Sequence, residues 1–238
     1  MTGTLINAVA VLAGGVLGLA FGARLPERVR ATVFSGLGLF TLGFGVYLFL
    51  ETRNPLIALG SVLLGGLLGE WWRIEDRLQG IGARLEARFL GEGAEPASGS
   101  LFVRGFLTAS VLFCVGPLTI LGAIQDGLTG DYSLLAVKSM LDGFASLALA
   151  SVLGVGVVFS VATILVYQGG ISLIAAQAQS LVNEAMIDEM TAAGGILIMG
   201  LAVSSLLELR PIRTGNLLPA LAVAPAIVWV SERITALF

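Results

Sequence analysis

The chain has 238 residues, 56% of them hydrophobic and 12% charged, with a formal net charge of −3. Soluble domains carry roughly 25% charged residues, so in water this chain would expose apolar surface well beyond what a monomer tolerates. Histidine is absent and Cys114 is the single cysteine, which excludes His/Cys metal sites, Cys-His and Ser-His-Asp catalysis and an internal disulfide, and the small charge implies no nucleic-acid partner.

A helix needs about 20 apolar residues to cross a hydrocarbon core of about 30 Å. The first such run is 4–23, too long for a cleavable signal and lacking a basic n-region and an A-x-A site. Its Gly14, Gly18 and Gly22 have the G-xxx-G spacing of close helix contact, within the subunit or across a dimer. Runs at 31–50 and 55–70 follow, the latter short. Over 71–90, Trp71, Ile74, Leu78, Ile81, Leu85 and Phe89 recur at helical spacing with arginines on either side. That pattern predicts an amphipathic helix in the headgroup layer, its arginines near anionic lipid, with a partner-docking helix as the alternative. Residues 91–100 (GEGAEPASGS) read as a linker.

The fourth run, 101–124, is interrupted by Gly116-Pro117, since proline removes a backbone donor and frees a carbonyl. Runs 133–153 and 155–176 are separated only by Leu153-Gly154-Val155-Gly156. As one helix, 133–176 would be about 66 Å long, so a hairpin is expected. Gln168-Gly169-Gly170 within the sixth run implies close packing or local unwinding. Runs 191–207 and 215–231 complete the chain, the last made irregular by Asn216, Pro219 and Pro225. The expected fold is an all-α polytopic transmembrane bundle of about eight spans, several interrupted by Gly or Pro, forming a single transmembrane domain over 1–238.

Charge placement gives an independent check. With eight spans, Arg24, Arg28, Arg30, Arg73, Arg77, Arg84, Arg88, Arg104, Arg210 and Arg213 all fall on one face. The other face holds Arg53, Arg233 and the acidic connections 125–132 and 178–190. The positive-inside rule makes the arginine-rich face cytoplasmic and places both termini outside. A shift of 78 residues aligns Gly38–Gly65 with Gly116–Gly143 at eight of 28 positions, among them Ser61/Ser139 and Gly65/Gly143. That number, in apolar sequence of low complexity, leaves chance and a parallel repeat equally open.

A charge at the bilayer centre costs about 2.5–3.5 kcal/mol on insertion scales, and such residues mark function more often than surface charges do. Lys138 and Asp142 fall inside the fifth run, four apart and hence on one helix face. They read either as a structural ion pair or as an ion- or proton-binding carboxylate governed by a neighbouring ammonium. Gln125, Asp126 and Asp131 follow the broken fourth run, as a cation vestibule or as turn residues. Thr119, Gln168 and Gln177 are the other polar groups singled out within the spans. No G-x-x-x-x-G-K-[ST] loop is present, so ATP-driven pumping has no support, and no cofactor or metal is expected. Ser139 adjoins Lys138, but helix neighbours point about 100° apart, which argues against a Ser-Lys catalytic dyad.

FCVGPLTILGAIQDGLTGD, KSMLDGFASLALASVLGVGV, TAAGGILIMGL and GNLLPAL together resemble the bacterial integral-membrane family catalogued as domain of unknown function 554. The resemblance covers essentially the whole chain and implies an inner-membrane location; it carries over no substrate and no site residue. The expected function is a secondary transporter or ion-conducting protein, not an enzyme, for a small solute, a cationic one included. Asp142, Lys138, Asp126, Asp131, Gln125, Gln168 and Thr119 are its candidate residues, and the lipid bilayer, the solute and a second copy are its candidate partners. The alternative is a non-transporting scaffold or accessory subunit with a structural ion pair.

Overall fold

A computed structural model of the chain describes residues 1–22, 26–90, 101–115, 117–175 and 183–235. Arg24, the expected linker 91–100, Gly116, Gln177 and the first part of the acidic connection 178–190 lie outside them, as do the side chains of Arg30, Leu85 and Phe89. Among the described residues there are helices and no strand. The long helices are α1 (Thr2–Gly22), α2 (Glu27–Phe49), α3 (Pro55–Trp72), α4 (Ile74–Leu90), α5 (Leu101–Cys114), α6 (Pro117–Thr129), α7 (Ser133–Leu153), α8 (Gly156–Leu173), α9 (Glu184–Leu201) and α10 (Ala220–Thr235). Among the described residues seven spans are long and apolar enough to cross a membrane, and α5 with α6, bent by 64°, make an eighth.

Contacts along α8 decide whether that bent pair crosses or turns back. Gly105 lies against Val157, the hydroxyls of Ser110 and Thr163 are 2.9 Å apart, and Gly127 packs on Ser172 and Ala175. The pair therefore runs parallel to α8 from its first turn to its last. It is a broken span, not a re-entrant loop.

The same reasoning orients the rest. α1 runs parallel to α7, with Gly14, Gly18 and Gly22 against the backbones of Gly143, Leu147 and Ser151. Those three glycines thus serve packing within the chain. α1 runs antiparallel to α8, Asn7 meeting Gln168 and Gly15 meeting Val158. Gly154, at φ 80°, turns the chain between α7 and α8, as the hairpin expectation requires. In a second group, α2 is antiparallel to α9 through Gly38/Leu207 and Gly45/Gly195, and α3 is antiparallel to α10 through Gly65/Ala220. Two four-span units result: α1, α5–α6, α7 and α8, and α2, α3, α9 and α10. Val11, Phe113, Leu149, Leu153, Val157 and Ile164 form the core of the first. Leu48, Leu197, Ala220 and Ala224 form that of the second, joined by Val111 of α5 and by Val115 just past its end.

Several boundaries move for local reasons. The seventh span begins at Glu184 and not at 191. Asn183 caps it by accepting from the Met186 amide at 2.9 Å, and its acidic first turns find partners in the 52–54 loop. Arg73, left-handed at φ 52°, ends α3, so the amphipathic helix begins at Ile74 and the exposed Trp71 belongs to α3. α4 packs through Gly82 onto Val103, while Ile81 stays exposed. Gln168-Gly169-Gly170 remains helical, with Gly169 near Thr4, which is the packing use of those residues. The eighth span opens with a 3₁₀ turn (Thr214–Leu217) before Pro219, and α10 continues through Pro225. A π turn (Ala202–Leu206) ends the seventh, a feature with no counterpart in the sequence reading.

The two stretches of the 78-residue shift lie in different units and run in the same direction. Ser61 and Ser139 are both buried, and their hydroxyls donate to the carbonyls four residues earlier, Ile57 at 2.6 Å and Leu135 at 2.5 Å. Gly65 and Gly143 are both points of close helix approach. These two aligned pairs thus take corresponding interior places, whereas Leu50/Leu128 and Leu63/Leu141 are exposed in both stretches.

Topology is checked with single cysteines at Gly80 and Leu128 in a Cys114→Ala background. An impermeant maleimide on oriented vesicles is expected to label them from opposite faces.

Candidate functional site

Asp142 lies roughly 14 Å along α7 from Ser133, near the middle of the span. Its Oδ2 pairs with the Lys138 ammonium one turn earlier and accepts from Asn7 Nδ2 of α1 at 3.0 Å. Both charged side chains are buried. Removing an ion pair from water is favourable only when its remaining donors and acceptors are met. Here Lys138 also donates to the carbonyl of Phe113 at 2.8 Å. α5 ends at Cys114, so Phe113 lies in its last turn, where carbonyls lack their intrahelical donors. Thr119 reaches the same carbonyl from α6 at 3.4 Å. The helix break therefore supplies the acceptor that holds the ammonium.

The network extends across α1 to α8. Asn7 Nδ2 also donates to Gln168 Oε1 at 3.0 Å, Gln168 Nε2 donates to Thr4 Oγ1 at 3.2 Å, and Thr4 lies 3.5 Å from Ser172 Oγ. Asn7 is fully buried, yet its Oδ1 has no partner. Buried polar atoms are nearly always bonded, so this orphan oxygen beside a carboxylate is an exception within the network.

The other candidates separate. Asp126, at the end of α6, is buried and accepts from the Gly3 amide at 3.1 Å and the Met1 ammonium at 2.9 Å; its Oδ1 is unpartnered. Asp131 is exposed and accepts from the Ser133 amide at 3.0 Å and from Gln125 Nε2 at 2.7 Å, closing the turn into α7. Hydrogen bonds from the Ser133 hydroxyl and amide hold its carboxyl below the usual carboxylate range, so it stays ionised through neutral pH. Asp126 and Asp131 thus have separate partners and do not converge as a vestibule. Asp142, Lys138, Thr119 and Gln168 do converge.

Sequence reasoning missed Asn7, Thr4, Ser172 and the Phe113 carbonyl. Asn7 carried a signal: it shares the buried face of α1 with Thr4, Val11, Gly14 and Gly18, at spacings of three and four. Two buried carboxylates at the ends of the second unit were also missed. Glu189 accepts from Thr52 Oγ1 at 2.7 Å and from the amides of Arg53 and Asn54 at 2.8 Å each. Glu75 accepts from the Gly215 amide at 2.6 Å, and its own amide donates to Asn216 Oδ1 at 2.8 Å. Each clamps one end of this unit. Hydrogen bonds to charged groups contribute about 1.5–3 kcal/mol. Glu189→Ala is expected to lower thermal stability by about that much, measured by unfolding in detergent, while leaving the Asp142 region unchanged.

A cavity of ≈ 570 Å³ lies between the two units. Phe106, Ser110 and Cys114 of α5 and Thr163 and Tyr167 of α8 line one wall; Met190 of α9 and Leu221 and Pro225 of α10 line the other. The broken span lines it from Phe106 on α5 to Ile124 on α6, on both sides of the break. Cys114 and Val115 face this cavity next to the carbonyl that Lys138 holds. The break thus has the ion pair on one side and open space on the other.

Residues 2–229 match the family described as "Protein of unknown function (DUF554)". The chain is 31% identical to the "Uncharacterized membrane protein YdfK" of Bacillus subtilis (strain 168) over 234 residues, 97% of this chain and 96% of that protein. It is 36% identical to the "Uncharacterized protein YqgA" of Escherichia coli (strain K12) over 224 residues, 93% of this chain and 94% of that protein. No solved structure matches the chain. With the match running through both units and the whole polar network, the chain is a membrane protein that belongs to the DUF554 family.

Proposed function

We propose that the chain is a secondary transporter of the bacterial inner membrane, its arginine-rich face cytoplasmic and both termini outside, in which Asp142 binds a coupling proton or small cation. One observation carries the reading: the Lys138 ammonium is shared between the Asp142 carboxylate and a carbonyl at the break of a spanning helix whose other side lines a cavity. When a proton or cation occupies Asp142, the carboxylate no longer attracts Lys138. The ammonium then leans on the Phe113 carbonyl alone, and the wall at Cys114 and Val115 shifts. Broken helices that place charged groups near midplane beside a cavity are the arrangement transporters use, and unpaired backbone groups inside a membrane persist only where protein or a cavity meets them. In this reading the cation is the coupling ion, and not the solute as the sequence alone suggests.

The test is flux in liposomes. Purified protein under imposed pH and sodium gradients is expected to move protons or cations with a solute, and Asp142→Asn, still folded, is expected to lose the movement. A folded wild type with no flux under either gradient, together with a mutant altered only in stability, supports the scaffold reading.

A further inference from the structure

We infer that the cavity between the two units binds an uncharged, largely apolar solute with a single hydrogen-bonding edge. This rests on the transporter reading and names its substrate class. The volume of ≈ 570 Å³ falls within the range of small-molecule sites. Among the described residues its lining contains no Asp, Glu, Lys or Arg, although Lys138, paired with Asp142, bonds the Phe113 carbonyl beside Cys114. An ion entering this space would lose its hydration without a counter-charge, which is costly. The polar side chains are confined to one wall: Ser110, Cys114, Thr163 and Tyr167 on α5 and α8. The Ser110 and Thr163 hydroxyls already pair at 2.9 Å, which leaves one edge able to exchange partners with a ligand hydroxyl or carbonyl. Opposite them Met190, Leu221 and Pro225 offer only apolar contact, and methionine adapts to varied shapes. The division of labour follows: the charge-bearing site lies behind the helix break, and the solute lies in front of it.

Cys114, the chain's single cysteine, lines the cavity and reports on its occupancy without further engineering. Burial makes this thiol slow toward maleimides, so wild-type protein in lipid nanodiscs is treated with methylmercury chloride, a small apolar thiol reagent, alone and with 2-naphthol, 2-naphthoate or 2-naphthylmethylammonium. The expected result is that Cys114 reacts, that saturating 2-naphthol slows the reaction about tenfold by occupying the site, and that the two ions have no such effect. Ala222→Trp and Met190→Trp, which fill the cavity from different helices, are each expected to abolish the protection. The inference is overturned if Cys114 does not react, if either ion protects as well as the neutral compound, if protection persists in both tryptophan variants, or if it follows the acyl-chain length of the nanodisc lipid, which would identify a lipid tail as the occupant. Loss of flux in Asp142→Asn without 2-naphthol protection would sink this inference alone. Protection without flux in any gradient would sink the transporter reading and leave a binding cavity.

Discussion

Asp142→Asn is expected to lower stability by about 3–5 kcal/mol, because removing one member of a buried ion pair strands the other. The stranded group is Lys138, which keeps only the Phe113 carbonyl and whatever dipole the new amide presents. The double variant Lys138→Met/Asp142→Leu is expected to recover most of that loss. Replacing a buried pair by apolar groups of similar volume is often neutral, and the remaining cost is the Asn7 amide, which then bonds only Gln168. Unfolding in detergent of the native chain, both single variants and the double variant forms a cycle whose interaction energy isolates the pair. The functional readout separates two roles that stability alone would merge. A structural pair predicts that the double variant is as good as native in every respect. A coupling carboxylate predicts a stable protein that moves nothing.

Gly14→Leu is the second large effect. A Cβ at position 14 would overlap the carbonyl oxygen and carbon of Gly143, which are backbone atoms and cannot rotate away. Overpacking of a close-packed interior costs about 1–3 kcal/mol and occasionally more. A helix–helix crossing at backbone contact belongs at the upper end, because α1 must shift away along its whole length. Moving α1 also pulls Asn7 from Asp142 and Gln168, so Gly14→Leu is expected to weaken both fold and site. Gly43→Leu is the control: a Cβ there meets nothing within 4 Å, and the variant is expected to unfold within about 0.5 kcal/mol of native. Equal losses in the two variants would show that the α1–α7 crossing is not a tight one.

Most of the architecture was legible because the bilayer demands long apolar helices and ten of the twelve arginines sort to one face. The Gly116-Pro117 break and the α7–α8 hairpin at Gly154 follow from local backbone chemistry, which sequence reports directly. Helix ends were less legible where tertiary partners set them. Glu184 to Glu189 look like a loop by hydropathy, yet they are helical because Arg53, Asn54 and Thr52 on another loop receive their carboxylates. Within the site, Asp142 and Lys138 stand out from burial cost alone, and Thr119 from its nearness to the break. Asn7 and the Phe113 carbonyl did not, since their role depends on α1 and α5 meeting α7, contacts more than 20 residues distant in the chain. Asp126 and Asp131, neighbours in sequence, take unrelated partners. Proximity along the chain was a poor guide to which carboxylates act together.

The central claim, that charge on Asp142 sets the position of the cavity wall between the two units, has a direct test in the distance across that cavity. Spin labels at Ser133 in the first unit and Glu232 in the second, both exposed and on one face, are placed in a Cys114→Ala background and measured by pulsed electron paramagnetic resonance in nanodiscs. A distance distribution that shifts or splits on acidification in the native chain, and that is already shifted in Asp142→Asn at neutral pH, is the expected result. One unchanged distance at every pH in both proteins would contradict it.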